Sequence, residues 1–171
     1  EDDYVIISDV DELPNLENLN QILKTKRKYT AFKQKMIYYK FNLLNLTEKN
    51  WYGSRMCKFK YLKTPQWLRN KKVKNYPFYR IDKLKWNIIE NGGWHFSNVM
   101  TPKEISEKLK SFAHSEFDKP EFTDIEIIKK KIDSKKDIFG RNFEFKKIDD
   151  DKELPKYLIE NKSKFSEFLI Q

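Results

Sequence analysis

The segment Asp9-Val10-Asp11-Glu12 places three carboxylates directly after the apolar run Tyr4–Ser8. In an extended chain Asp9 and Asp11 point to the same side, because side chains alternate along a strand. Hard divalent cations such as Mg²⁺ and Mn²⁺ prefer oxygen ligands, and few protein ligands suffice when phosphates supply the rest. Ligands of open α/β sheets also gather beyond the ends of strands. The segment therefore suits a metal ion that holds a diphosphate.

Two other interpretations of these carboxylates stay open. In the first, Asp11 or Asn15 caps the following helix and Asp9 is solvated, so that the segment has no catalytic or metal-binding role. In the second, Asp9 is the nucleophile of a phosphatase of the haloacid dehalogenase type, since those enzymes also place D-x-D after a strand. They normally continue with a small residue and then Thr or Val, whereas Glu12-Leu13-Pro14 follows here. The phosphatase interpretation therefore ranks below the metal–diphosphate one.

The segment 91–97 combines two glycines with Trp94, His95 and Phe96. Glycines let the backbone turn sharply or approach a ligand closely, and a neutral imidazole can complete a metal shell. The aromatic side chains could form pocket walls. A single histidine is more often a hydrogen-bonded core residue, but the Asp9 and Asp11 pair makes His95 a candidate third metal ligand.

The acidic residue Glu116 follows a predicted helix that begins at Thr101. A carboxylate in such a place could accept a proton from an attacking hydroxyl, provided that it lies within hydrogen-bond distance of that hydroxyl. Spacing alone favours a solvated glutamate at the end of a helix. Glu116 is therefore a candidate base only in combination with other features of the chain.

Composition limits the classes of protein that fit this chain of 171 residues. Its aromatic content of 15% is typical of a folded domain. A single cysteine, Cys57, excludes an internal disulfide and a zinc site built from cysteines. The net charge of +9 suits phosphate-bearing partners or anionic surfaces. The lysine runs are scattered and no nucleic-acid-binding motif is recognisable, so nucleic acid is not an expected partner.

Hydrophobic periodicity and capping patterns predict a single α/β domain over residues 1–171. The predicted elements comprise strands, a loop, helices and two capping boxes. They are a buried strand Tyr4–Ser8, a helical stripe Leu16–Leu23, a strand Tyr29–Phe41, a loop Trp51–Ser54, a strand Arg55–Leu62, capping boxes Thr101–Glu104 and Thr123–Glu126, and one or two helices in Leu154–Leu169.

Several segments taken together resemble glycosyltransferase family seventeen, the family of the β-1,4-mannosyl-glycoprotein N-acetylglucosaminyltransferase that adds bisecting N-acetylglucosamine. The similar segments occur in the family's order over nearly the whole chain. They are Tyr4–Pro14, which resembles the metal-site segment, Gly92–Ser97, which resembles the Gly-Trp-His segment, Thr101-Pro102, Lys108–Ser111, and Pro155–Leu158 with Asn161 and Phe165.

The resemblance implies a GT-A fold and an inverting transfer of a sugar, N-acetylglucosamine among the candidates, from a UDP-sugar to a glycan hydroxyl with Mn²⁺ or Mg²⁺. Asp9 and Asp11 would be the D-x-D carboxylates, and His95 would bind the metal or the diphosphate, with Trp94 beside it in the donor site. The candidate bases are Glu116, Glu12 and Glu90.

The resemblance also carries departures from the family pattern. A GT-A domain normally has nucleotide-binding β/α units before its D-x-D strand, whereas this chain starts at that strand. It is therefore expected to be the C-terminal catalytic part of a GT-A enzyme, with the uridine site in other sequence, and to be inactive alone in that case. The Phe96-Ser97 pair is closer to bacterial or viral members.

Such a source implies a cytoplasmic location, and a eukaryotic source would imply the Golgi lumen. The expected partners are a nucleotide-sugar donor and a glycan acceptor, without nucleic acid. The sequence does not decide membrane association or oligomeric state. The alternative to an enzyme is a basic binding module in which the acidic cluster is only a helix cap.

Overall fold

The computed structural model describes residues 1–17, 19–74, 77, 79–80, 83–111 and 119–170. The strands within these ranges are β1 (Tyr4–Ile7), β2 (Glu12–Pro14), β3 (Tyr29–Tyr38), β4 (Leu43–Asn45), β5 (Asn50–Lys58), β6 (Trp86–Ile89), β7 (Gly93–Ser97) and β8 (Phe145–Lys147). The α-helices are α1 (Leu19–Ile22), α2 (Pro65–Arg69), α3 (Pro102–Ser111), α4 (Pro120–Thr123), α5 (Ile125–Asp133) and α6 (Lys156–Glu160). Shorter 3₁₀ turns cover Phe59–Tyr61, Asp151–Glu153 and Lys162–Phe168.

The chain divides into two compact units. The first unit consists of Glu1–Lys35 and Asn50–His95, and the second of Met36–Lys49 and Phe96–Gln171. The strands pair in both parallel and antiparallel directions and alternate with helices, so the predicted α/β class is confirmed. The organisation of residues 1–171 as a single domain stays a prediction.

In the first unit, β5 lies between two strands. β1 pairs with it antiparallel from Tyr4↔Lys58 to Ile7↔Arg55, and the first part of β3 pairs with its other side. β6 adds a parallel strand to β3. Buried side chains from these strands and from α1 and α2 form the core, as expected for apolar faces that must leave water: Ala31, Cys57, Leu68, Trp86, Ile22, Phe32 and Met56.

Two predictions for this unit are wrong in part. The strand at Tyr4–Ser8 exists as β1, but it is the last strand in the order and only half-buried, because a strand at an edge is covered on fewer sides. The loop predicted at Trp51–Ser54 is part of β5. Its Gly53 favoured a loop in the sequence, yet a glycine also occurs in a strand where another group approaches the backbone closely.

In the second unit, the end of β3 pairs with β4 at Ile37↔Leu44, and β4 pairs with β8. Helices α3 and α5 place one apolar side each against this layer, as their helical spacing predicts. The resulting core contains Met36, Tyr38, Tyr39, Leu43, Ile105, Leu109, Ile128, Ile132 and Ile138.

The two predicted capping boxes differ in outcome. At α3 the backbone N–H of Thr101 donates to Glu104 Oε2 (2.8 Å), and the N–H of Glu104 donates to Thr101 Oγ1 (3.3 Å), so this box is confirmed. At α5 the cap is Asp124, whose carboxylate accepts from the N–H groups of Glu126 and Ile127. The box predicted from Thr123 is wrong, because the Thr123 hydroxyl donates to the Lys119 carbonyl instead.

Candidate functional site

The carboxylate segment forms a closed turn after β1. The N–H of Glu12 donates to the carbonyl of Asp9 (3.1 Å), and the N–H of Asp9 donates to Glu12 Oε2 (3.0 Å). These reciprocal bonds hold the intervening residues in place, and Val10 at the tip is fully exposed. The turn therefore presents Asp9 and Asp11 from a fixed backbone.

Glu12 is the buried anchor of this turn. Its side chain is 4% exposed, and Oε1 accepts a hydrogen bond of 2.7 Å from the indole N–H of Trp51 on β5. Gly53 makes room for the carboxylate, because a Cβ at that position would overlap Glu12 and lie 2.5 Å from Gln34 Oε1. A buried carboxylate needs such partners, since removing a charge from water is costly.

His95 reaches this anchor through strand pairing. β2 pairs antiparallel with β7, which sets Glu12 opposite His95. The imidazole Nε2 lies 3.8 Å from Asp11 Oδ2, and Nδ1 lies 3.9 Å from Glu12 Oε1. Nδ1 is buried and has no hydrogen-bond partner among the described residues. The Trp51 ring packs at 4.9 Å from the imidazole, between ring centroids.

The pair of Asp11 and His95 fits a divalent cation in part. Two ligand atoms 3.8 Å apart can share an ion whose bonds are about 2.1 Å long. No group of three or more His, Cys, Asp or Glu side chains that could hold a metal occurs within the described ranges. Mg²⁺ commonly uses one or two carboxylates and completes its shell with phosphate and water oxygens. The pair therefore suits a metal that arrives with a phosphate ligand.

Asp9 faces a cation instead of the imidazole. Its Oδ2 accepts a hydrogen bond of 2.5 Å from the guanidinium of Arg69, the last residue of α2. Both side chains are partly exposed, at 34% for Asp9 and 50% for Arg69. A ligand that competed for either group would have to exchange this ion pair, which is modest in water.

A cavity of about 430 Å³ opens beside the turn. Carboxylates and guanidinium groups both contribute to its lining, which comprises Ile7, Ser8, Asp9, Glu12, Asn50, Trp51, Tyr52, Gly53, Arg55, Arg69 and Asn70. All of these residues belong to the first unit.

Arg55 is the more buried of the two cations in the lining. One terminal N–H donates to the Gly53 carbonyl (2.6 Å), while Nε is buried without a hydrogen-bond partner in the described part of the chain. Burial lowers the pKa of Arg55, and the charges of Glu12 and Asp9 act in the opposite direction. The other terminal nitrogen donates to the Lys71 carbonyl (3.4 Å), so an anionic ligand would compete with two backbone carbonyls for this guanidinium.

The structure brings Asp11 to 3.8 Å and Glu12 to 3.9 Å from His95, whereas Asp9 stands in the same turn and pairs with Arg69. The metal site predicted from Asp9, Asp11 and His95 together stays a prediction. Trp94 does not join them. Its side chain is buried on β7 and points to the face opposite His95, because neighbouring residues of a strand alternate between the two faces. The donor-binding role of Trp94 stays a prediction.

The candidate bases have different outcomes. Glu116 lies outside the described residues. Glu90 forms an ion pair of 2.6 Å with Lys33 and its side chain is 73% exposed. Glu12 is buried and accepts one hydrogen bond at each oxygen, and its role as a base stays a prediction.

Sequence reasoning missed three residues of this region, Trp51, Gly53 and Arg69. The first two were assigned to a loop, although Trp51 and Tyr52 are residue types that favour strands. For Arg69 no local pattern existed, because its partner Asp9 is 60 residues away in the sequence.

Comparison of the chain with protein-family models, with curated proteins and with solved structures finds no match. In the described part of the chain, no helix combines the length and the apolar character that crossing a bilayer requires.

Proposed function

We propose that the chain is a metal-dependent glycosyltransferase with a GT-A-like fold, which transfers a sugar from a UDP-sugar to a glycan hydroxyl with inversion. The observation that carries this proposal is the approach of Asp11 and His95 to 3.8 Å. The pair does not line the cavity itself, but His95 contacts Glu12 and Trp51, which line it together with two arginines. Metal ligands and phosphate-binding cations are the two groups that a nucleoside diphosphate requires.

The charged residues around the cavity suit a complex of a metal ion with a diphosphate better than the metal ion or the diphosphate alone. Asp11 and His95 would hold the cation, and Arg55 and Arg69 line the adjoining cavity, where phosphate oxygens would compete with Asp9 for Arg69. Arg55 in particular keeps a buried N–H without a partner in the described ranges. Bidentate hydrogen bonds from arginine to phosphate are strong and geometrically specific.

The protein's own residues would position the sugar donor, and one of them would accept the proton of the acceptor hydroxyl. When bound, Mn²⁺ or Mg²⁺ offsets charge on the departing diphosphate. Glu12 and Trp51 keep the carboxylate turn fixed through their hydrogen bond, and the exposed part of the Trp51 ring offers an apolar face to a sugar or a base. Glu116 remains the proposed base for the acceptor hydroxyl.

Isothermal titration of UDP into the full-length protein, with and without Mn²⁺, tests this proposal. We expect UDP binding that requires Mn²⁺, and a loss of about tenfold or more in affinity for Asp11→Asn and for His95→Ala. Asp149→Asn is the matched control, since that carboxylate is 74% exposed and lies in the second unit. Binding of UDP that is independent of metal, or unchanged in both site variants, would contradict the proposal.

Hydrolysis of p-nitrophenyl phosphate distinguishes the phosphatase alternative from the proposed glycosyltransferase. Phosphate release that disappears in Asp9→Asn, without any UDP binding, would favour a nucleophilic Asp9. Failure of both assays would favour the basic binding module.

A further inference from the structure

We propose that the first unit docks on an anionic lipid membrane through a surface of lysine and aromatic side chains. This surface, called the lysine–aromatic face below, is independent of the proposed glycosyl transfer. It consists of Lys28, Phe59, Tyr61, Lys63, Trp67 and Lys71.

Two aromatic rings of this face, Tyr61 and Trp67, are connected through the ring of Tyr29. Tyr61 lies 6.4 Å from Tyr29, and Tyr29 lies 5.8 Å from Trp67, between ring centroids. The same rings pack against the core of the first unit, which contains Leu68 and Trp86. These rings are therefore held by the fold, and they present one side to solvent.

Lysine ammonium groups lie over these rings. Lys28 Nζ is 4.9 Å from the centroid of Tyr61, and over Trp67 the corresponding distances are 5.4 Å for Lys63 and 5.0 Å for Lys71. Such contacts hold the lysines in place by cation–π attraction. They leave the outward N–H groups of each ammonium available to an anion.

The charge of these three lysines is not compensated. Among the described residues, Lys28, Lys63 and Lys71 have no ion-pair partner. Lys58 and Lys60 differ, because Asp2 accepts from both of them at 3.2 Å and 2.7 Å. The net positive charge of the face therefore comes from Lys28, Lys63 and Lys71.

Phe59 supplies an apolar group that a membrane can bury. Its side chain is 57% exposed, while its backbone N–H donates to the Asp3 carbonyl at 2.8 Å. The neighbours Lys58 and Lys60 flank it in the sequence. Exposed aromatic side chains next to lysines are the composition of protein segments that lie in the membrane interface.

The geometry favours lipid over nucleic acid as the partner. Bases bind aromatic residues by stacking on open ring faces, but Tyr61 carries Lys28 and Lys60 within 5.6 Å of its centroid, and Trp67 carries two further lysines. Binding to lipid phosphates requires only positive charge, and Phe59 can insert into a bilayer without stacking on another ring. An anionic bilayer therefore uses the groups that the face presents.

Sedimentation with lipid vesicles tests the inference. We expect the full chain to bind vesicles of phosphatidylcholine with 30% phosphatidylglycerol, to ignore pure phosphatidylcholine, and to dissociate as salt increases. Lys63→Glu/Lys71→Glu should lower the partition coefficient about tenfold or more. Lys110→Glu/Lys129→Glu makes the same charge change on exposed helical positions of the second unit and should change it less than threefold.

Two further variants test the apolar and acidic neighbours. Phe59→Ser should weaken vesicle binding several-fold, whereas Tyr157→Ser removes an aromatic residue that is 59% exposed in the second unit and should not. Asp2→Asn should strengthen binding, because it releases Lys58 and Lys60. Absence of binding to anionic vesicles, or equal losses in both double variants, would overturn the inference. Binding of single-stranded DNA without vesicle binding would also overturn it.

Discussion

Glu12 joins three segments that are distant in sequence. Its carboxylate accepts from Trp51 on β5 and from Asp9 in the turn, and it lies 3.9 Å from the His95 ring on β7. A buried carboxylate is stable only where the surrounding groups satisfy it. We infer that Glu12 fixes the geometry of Asp11 and His95, whatever ligand the pair binds.

The buried position of Glu12 depends on the absence of a Cβ at Gly53, and a substitution can test this. We expect Gly53→Ala to lower the free energy of unfolding by about 1–3 kcal/mol, because the new methyl group would overlap the Glu12 carboxylate and crowd Gln34. Equilibrium urea unfolding measures this change.

Gly140→Ala is the control for backbone effects alone. Gly140 has a φ of +76° and nothing within 4 Å of an added Cβ, so its cost of about 1 kcal/mol would come only from backbone strain. Gly53 lacks a positive φ. A Gly53→Ala variant as stable as the parent chain would contradict the packing argument.

At the scale of elements, local patterns predicted helix starts better than strand partners. The capping box at α3 depends on residues three positions apart, and it is present. At α5 the cap moved by one residue to Asp124, since two candidate caps stand next to each other and the Thr123 hydroxyl found the Lys119 carbonyl. Neighbouring cap residues cannot be ranked without the backbone conformation.

The α5 cap leads to a prediction on helix stability. Asp124→Ala should reduce the free energy of unfolding by about 1 kcal/mol, because the N–H groups of Glu126 and Ile127 lose their acceptor. Thermal or urea unfolding followed by circular dichroism measures the loss. Glu126→Ala should change stability by less than about 0.5 kcal/mol, and a larger effect there would indicate that the box predicted from Thr123 forms in solution.

At the scale of the whole molecule, two buried weakly acidic side chains, one in each unit, make the stability decrease at alkaline pH. Burial raises the pKa of the Cys57 thiol in the first unit and of the Tyr39 phenol in the second. Both groups stay neutral in the folded chain at a pH at which they ionise in the unfolded chain. Their contribution to stability is therefore full below about pH 8.5 and declines above it.

The urea midpoint at a series of pH values from 8 to 11 checks this linkage. We expect the midpoint to fall as the pH rises, and to fall less in Cys57→Ala and in Tyr39→Phe than in the parent chain. Tyr39→Phe should also be less stable at every pH, because the Ile138 N–H loses the phenol oxygen as acceptor. Parallel pH profiles for all three proteins would contradict the assignment.

The sequence by itself determined what depends on near neighbours. A continuous apolar run predicted the strand that ends before Asp9, and the Thr101–Glu104 spacing predicted the start of α3. Both are present, because each depends on the types of residues within a few positions. The choice of Asp9, Asp11 and His95 as candidates also came from residue type and position, and their roles stay predictions.

Only the tertiary structure decided which of these groups meet. Pairing of β2 with β7 brings His95 to Asp11, a turn of α2 brings Arg69 to Asp9, and β5 supplies Trp51 to Glu12. These contacts join residues far apart in the chain, so they depend on strand pairing and on the packing of a common core. No local propensity encodes that choice, because many partners satisfy an apolar strand equally well until the whole core is assembled.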